Sequence, residues 1–236
     1  MNNWSDQSFK DIIDPIKDFM DFDIDSFCGF NSYFYERLDS PRAQLISYLR
    51  NLNRLRFYSG DIIKSSEFTI IDYTSIAHIP VLAVKSNMKT KFKGFLAHNG
   101  ILIFIEDDDN IESLKGVLRH ELIHGCNRFL IHTGKFGISD NEDDKLFFRF
   151  RDECIAYLVG APGILESLSR SSISQVSQLL LYTEDIQNVI YSKYRRAIRY
   201  AIDVDKGKRS LEIFMKLILK HTSLNEFLSD YRRVLV

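Results

Sequence analysis

Residues 91–129 read KFKGFLAHNGILIFIEDDDNIESLKGVLRHELIHGCNRF. Two apolar runs flank His98-Asn99-Gly100; an acidic cluster follows; then comes a helix-period pattern carrying two histidines. Asn-Gly between apolar runs signals a hairpin, because both residues tolerate positive φ. The acidic run suits a helix start better than a calcium loop. Asp109 is expected as the cap and Glu112 as the second half of a capping-box-like pair, with the negative charge complementing the helix dipole. Leu114, Val117, Leu118 and Leu122 then share one arc of a helical wheel, about 140° wide, as a buried stripe does.

Upstream of this stretch, EFTIIDY (67–73) and IPVLAVKS (79–86) are short, rich in β-branched and aromatic residues, and bounded by turn residues. They predict a small, mostly antiparallel sheet over about residues 67–105, with 101–105 as its last strand. Residues from about 8 to 57 read as helical, and Ser40 with Pro41 marks a helix start ahead of Leu45, Tyr48, Leu49 and Leu52. From Asp109 the chain reads helical nearly to its end, with 138–144 and 203–210 as the clearest loops. Strands followed by helices predict an α+β fold. The expected organisation is one domain over 1–236: an N-terminal helical part (1–65), a core (66–165) and a C-terminal helical part (166–236).

The chain has 236 residues, 45% hydrophobic and 27% charged, with a formal net charge of −1. That supports a sizeable core, and no global field selects nucleic acid or an anionic membrane. The N-terminus is acidic and does not read as a Sec-type signal peptide, and no run approaches the ~18 apolar residues of a membrane span. Cys28, Cys126 and Cys154 lack CxxC spacing, which fits a reducing cytosol. A protein exported by a dedicated machine without a Sec leader reads the same way.

Glu121 falls inside the apolar arc, with His120 and His124 together at its edge. A lone buried carboxylate is costly unless it is paired or works near a metal. Histidines at i and i+4 project from one helical face and can bind a single Zn²⁺ through their imidazoles. The glutamate between them is rotated away, where it can take a proton from zinc-bound water and deliver it to a leaving amine. A catalytic zinc needs a third protein ligand. Glycine at 127 and histidine at 130 would make the metzincin pattern, but the chain has Asn127 and Leu130. His132 stands about 12 Å further along a continuing helix, too far for the same ion. Downstream, FFRFRDECIAYLVGAPGIL places Glu153 at the head of a Glu-x-x-Ala run on a second helix.

His120-Glu121-Leu122-Ile123-His124 followed by Glu153-Cys154-Ile155-Ala156 resembles the gluzincin class of zinc metallopeptidases, particularly the small minigluzincins. The resemblance covers about residues 92–165. It implies zinc held by His120, His124 and Glu153, Glu121 as general base, and Ala156 letting the two helices approach. It also implies an edge strand, here Gly100–Ile105, that binds an extended protein or peptide substrate by strand addition. Asp152 competes with Glu153 for the ligand role. Tyr157 stands where many gluzincins carry an acidic residue, leaving the partner that fixes a ligand imidazole unassigned. HELIH also occurs in clostridial neurotoxin light chains, which are far longer. Size and motif order are similar to short effector proteases that bacterial pathogens inject into host cells.

The expected function is therefore a monomeric zinc metalloendopeptidase acting without nucleic acid or membrane, in a cytosol or secreted without a Sec signal. The alternative is a regulatory or scaffold module that retains zinc without peptidase activity. A basic, tyrosine-rich stretch at 191–200 would serve a third reading, nucleic-acid binding, but suits a solvated helix face better. Tyr157, Tyr191, Tyr194 and His221 are the candidates for stabilising an oxyanion. Arg149, one turn before Glu153, is expected to bond its free oxygen.

Overall fold

A computed structural model describes residues 6–17, 23–36, 44, 47, 68–86, 93–106, 109–137, 141–181 and 188–234. The expected helix start at Ser40-Pro41, with Leu45, Tyr48, Leu49 and Leu52, lies outside them. The chain forms two compact units, Met1–Leu122 and Ile123–Val236, and the division falls within one unbroken helix. The architecture is α+β, with a small sheet and helices on both sides of it in the chain.

The first unit holds α1 (Asp6–Lys17), α2 (Ile24–Glu36), β1 (Phe68–Ile76), β2 (Ile79–Ser86), β3 (Gly94–Ala97) and β4 (Gly100–Ile105). It also contains the start of α3 (Ile111–His132). The strand order is β1-β2-β4-β3, antiparallel at both ends and parallel between β2 and β4. This corrects the expected edge strand: Gly100–Ile105 is paired on both sides, to β2 and to β3. The physical reason lies in GILIFI itself. Ile101, Leu102, Ile103 and Phe104 are all buried, so both faces of the strand are covered. An apolar run without alternation belongs inside a sheet. Among the described strands, β1 and β3 stand at the two ends of the order.

Both tight hairpins differ in detail from expectation. The β3–β4 turn is made by His98 and Asn99, closing between Ala97 and Gly100, and the positive φ (138°) is at Gly100, with none at Asn99. The β1–β2 turn places Ala77 and His78 at φ 50° and 62°, a backbone normally left to Gly, Asn or Asp. Contacts from α2 hold it: Asn31 Nδ2 donates to the Ala77 carbonyl at 2.9 Å, and Ser32 Oγ lies 2.7 Å from His78 Nδ1.

Helix α3 begins one residue later than expected. Asn110 Oδ1 accepts the Ser113 N–H at 2.8 Å, the bond an N-cap makes. Asp109 instead binds Lys93 Nζ at 3.0 Å and the Glu106 N–H at 2.8 Å, fastening the approach to β3 to the end of β4. Glu112 pairs with Lys115.

The second unit continues α3 and adds α4 (Glu142–Ile155), a π-helical turn (Ala156–Gly160), α5 (Ile164–Ser171), α6 (Ile173–Leu181), α7 (Asn188–Asp205), α8 (Leu211–Lys220) and α9 (Leu224–Val234). Two expected loops are shorter than their sequences suggested. Asn141 caps α4, so Glu142, Asp143 and Asp144 form its first turn, where their charge suits the dipole. Helix α7 runs to Asp205, and Ser210 caps α8. Aromatic contacts set the position of α4. Phe147 packs on Phe227 at 5.8 Å and Phe150 on Tyr194 at 5.4 Å, while Phe214 meets both Phe227 and Tyr200. Such pairs each add about 0.5–1.5 kcal/mol beyond their burial.

Candidate metal centre

Helix α3 carries His120 and His124, and α4 carries Glu153. Each of the three offers a ligand atom within 4.8 Å of the others. It is the one such cluster of histidine, cysteine and carboxylate groups among the described residues. His124 Nε2 stands 3.5 Å from Glu153 Oε1. Two atoms bonded to one zinc at 2.0–2.2 Å in tetrahedral geometry stand roughly 3.4 Å apart, so this edge fits. Glu153 is 2% exposed, and Nδ1 of His120 is shielded from solvent. The donor set suits zinc: two imidazoles and a carboxylate, with Cys126 and Cys154 outside it.

The partner that fixes an imidazole is Asp152. Its Oδ2 lies 2.8 Å from His124 Nδ1. With Nδ1–H donating to a carboxylate, the Nε2 lone pair is left for a metal, and it is Nε2 that faces Glu153. Asp152 is therefore not among the clustered ligand atoms; it stands behind one. Asn127, one turn beyond His124, donates its Nδ2 to the other oxygen of Asp152. Sequence reasoning weighed Asp152 only as a rival ligand and gave Asn127 no role.

Glu121 is buried at 5% exposure. Its Cγ would lie 3.4 Å from a Cβ built on Gly94, so the side chain sits against β3. A Cβ there would also come within 2.6 Å of Val117 Cγ1 and 3.1 Å of the Leu102 carbonyl. Only glycine lets α3 and β3 meet this closely, and that contact seats Glu121.

The remaining expected residues fall as follows. Arg149 is exposed and does not serve the buried Glu153. The buried arginine is Arg151, whose Nη1 donates to the His221 carbonyl at 3.0 Å and whose guanidinium lies 4.3 Å from the Phe136 ring centroid. Burial lowers its pKa to about 10. Tyr157 is half-buried and lies in the π-helical turn directly after the Glu153 segment; such turns often occur at functional sites. Tyr194 is buried against Phe150, its phenol pushed well above the usual range by burial and by Asp143 and Asp144. His221 Nε2 is engaged by Asp230 at 3.0 Å. The side chain of Tyr191 lies outside the described residues. On α7, Lys193, Arg195, Arg196 and Arg199 are exposed, with Lys193 paired to Asp143 at 2.9 Å.

Compared with known proteins, the chain matches no family model, no curated protein and no solved structure. No described helix is long and apolar enough to cross a membrane.

Proposed function

We propose that the chain is a zinc-dependent metalloendopeptidase. The observation that carries the reading is the convergence of His120, His124 and Glu153 from two helices, with Asp152 holding His124 so that Nε2 faces the cluster. A structural zinc site is usually closed by four protein ligands; the set of three found among the described residues leaves a position open for reaction. Zinc bound by these residues would supply Lewis acidity, polarising the scissile carbonyl and making water a stronger nucleophile at neutral pH.

The chain's own groups supply the rest. Glu121 is the proton carrier: its carboxylate takes a proton from the attacking water and gives it to the departing amine. Its burial against Gly94 of β3 holds the side chain in a defined place one residue from the ligand His120. The substrate adds as an extended strand to the outer edge of β3, Gly94–Ala97, which among the described strands has β4 on one side only. β4, paired on both sides, offers no such edge. Three free cysteines, two of them buried, suit a reducing compartment such as a cytosol, including that of a host cell.

The test is to map new protein N-termini after exposing a proteome to wild type and to Glu121→Gln. Neo-termini that appear with wild type and vanish with the variant are expected. An identical set, or none, contradicts peptidase activity.

A further inference from the structure

We infer that Asn127 is a positioning residue: it locks Asp152 and thereby holds His124 in the tautomer with its proton on Nδ1. The inference deepens the metal-centre reading and takes its consequence for zinc from it. An aspartate carboxylate rotates easily about its terminal torsion, which has broad, roughly two-fold preferences. One hydrogen bond to His124 Nδ1 leaves that rotation open. Here the carboxylate is gripped twice from one helix: Oδ2 faces His124 Nδ1 at 2.8 Å, and Oδ1 accepts from Asn127 Nδ2. His124 and Asn127 are three residues apart on α3, so both reach the same group on α4.

The cost of Asn127 supports a dedicated role. It is 2% exposed, and its Oδ1 is buried without a hydrogen-bond partner. A buried unsatisfied acceptor costs about 1–3 kcal/mol, and an apolar side chain of similar size would avoid it. The neighbours Cys126, Phe129 and Leu130 are buried and apolar, as α3 packing requires. Within 126–130 Asn127 is the buried polar residue, and it spends its donor on Asp152.

The test follows the His124 imidazole by ¹⁵N NMR in metal-free full-length protein and, separately, zinc affinity by chelator competition. In wild type, His124 should be Nδ1-protonated with a slowly exchanging Nδ1–H, and the Asn127 side-chain amide protons should be protected. In Asn127→Leu the Nδ1–H should broaden into exchange and zinc affinity should fall about 10–100-fold, the range for lost outer-shell partners. An unchanged His124 signal in the folded variant overturns the inference, whatever the zinc affinity. An altered His124 signal with wild-type affinity overturns its claimed consequence. Should Asn127→Leu fail to fold, wild type alone decides: unprotected Asn127 amide protons or an Nε2-protonated His124 overturn it. A wild type that binds no zinc contradicts the metal reading, and the imidazole signal still decides the role of Asn127.

Discussion

Gly94→Ala is a stringent test of how α3 is seated on the sheet. The added methyl group would stand 2.6 Å from Val117 Cγ1 and 3.1 Å from the Leu102 carbonyl oxygen. Valine cannot swing away cheaply, because two substituents at Cβ restrict χ1, and the carbonyl belongs to a strand paired on both sides. Overpacking of this kind costs about 1–3 kcal/mol. Against it stands the smaller entropy of the unfolded alanine chain, a gain of about 0.4–1 kcal/mol where the backbone suits alanine. The clash outweighs that gain, and a net loss of about 0–2.6 kcal/mol is expected. Urea denaturation should show it as a lower midpoint with an unchanged slope. Adding Val117→Ala removes the nearest atom, so the double variant should be less destabilised than the two single losses sum to. A Gly94→Ala protein more stable than wild type would mean that α3 and β3 do not approach as described.

Three further outcomes follow from the same geometry. Glu121→Gln should retain zinc and fold while losing about 10²–10⁴-fold in peptide hydrolysis, the usual worth of a general base; a variant cleaving an established substrate as fast as wild type refutes the assignment. Asp152→Ala should weaken zinc by about 10–100-fold as an outer-shell loss, whereas His124→Ala and Glu153→Ala, each lacking a ligand, should lose more; chelator competition ranking Asp152→Ala with the ligand variants would make Asp152 a ligand. Burial pushes the Cys154 thiol well above its ordinary range, and burial with Asp25 and Asp23 raises that of the half-buried Cys28. Native protein at neutral pH should therefore react with a thiol reagent at Cys28 alone, more slowly than free cysteine, and at all three cysteines once denatured. Rapid native labelling of Cys126 or Cys154 would contradict their burial.

The helix pattern, the strand runs and the two-histidine face were legible because each is a local periodicity. So was the Glu153 segment, whose Glu-x-x-Ala lies within four residues. The unexpected features depend on partners distant in sequence. The place of β4 in the sheet follows from β2 on one side and β3 on the other, although its unbroken apolar run already argued against an edge. The Ala77-His78 turn has no glycine or asparagine to announce it, and rests on Asn31 and Ser32 of α2. The exchange of roles between Asp109 and Asn110 turned on Lys93, which claims the aspartate. Asp152 could have been recognised from its place beside Glu153, the expected ligand. What decided its role is the approach of His124, a tertiary contact that no spacing within α4 reveals.

The central claim is that His120, His124 and Glu153 hold one zinc ion. Crystals grown with equimolar zinc and measured at the zinc absorption edge test it most directly. The account predicts one anomalous peak per chain, bonded to both imidazoles and to a Glu153 oxygen at about 2.0–2.2 Å. A peak elsewhere, no peak at saturating zinc, or a Glu153 oxygen more than about 3 Å from the ion would contradict it.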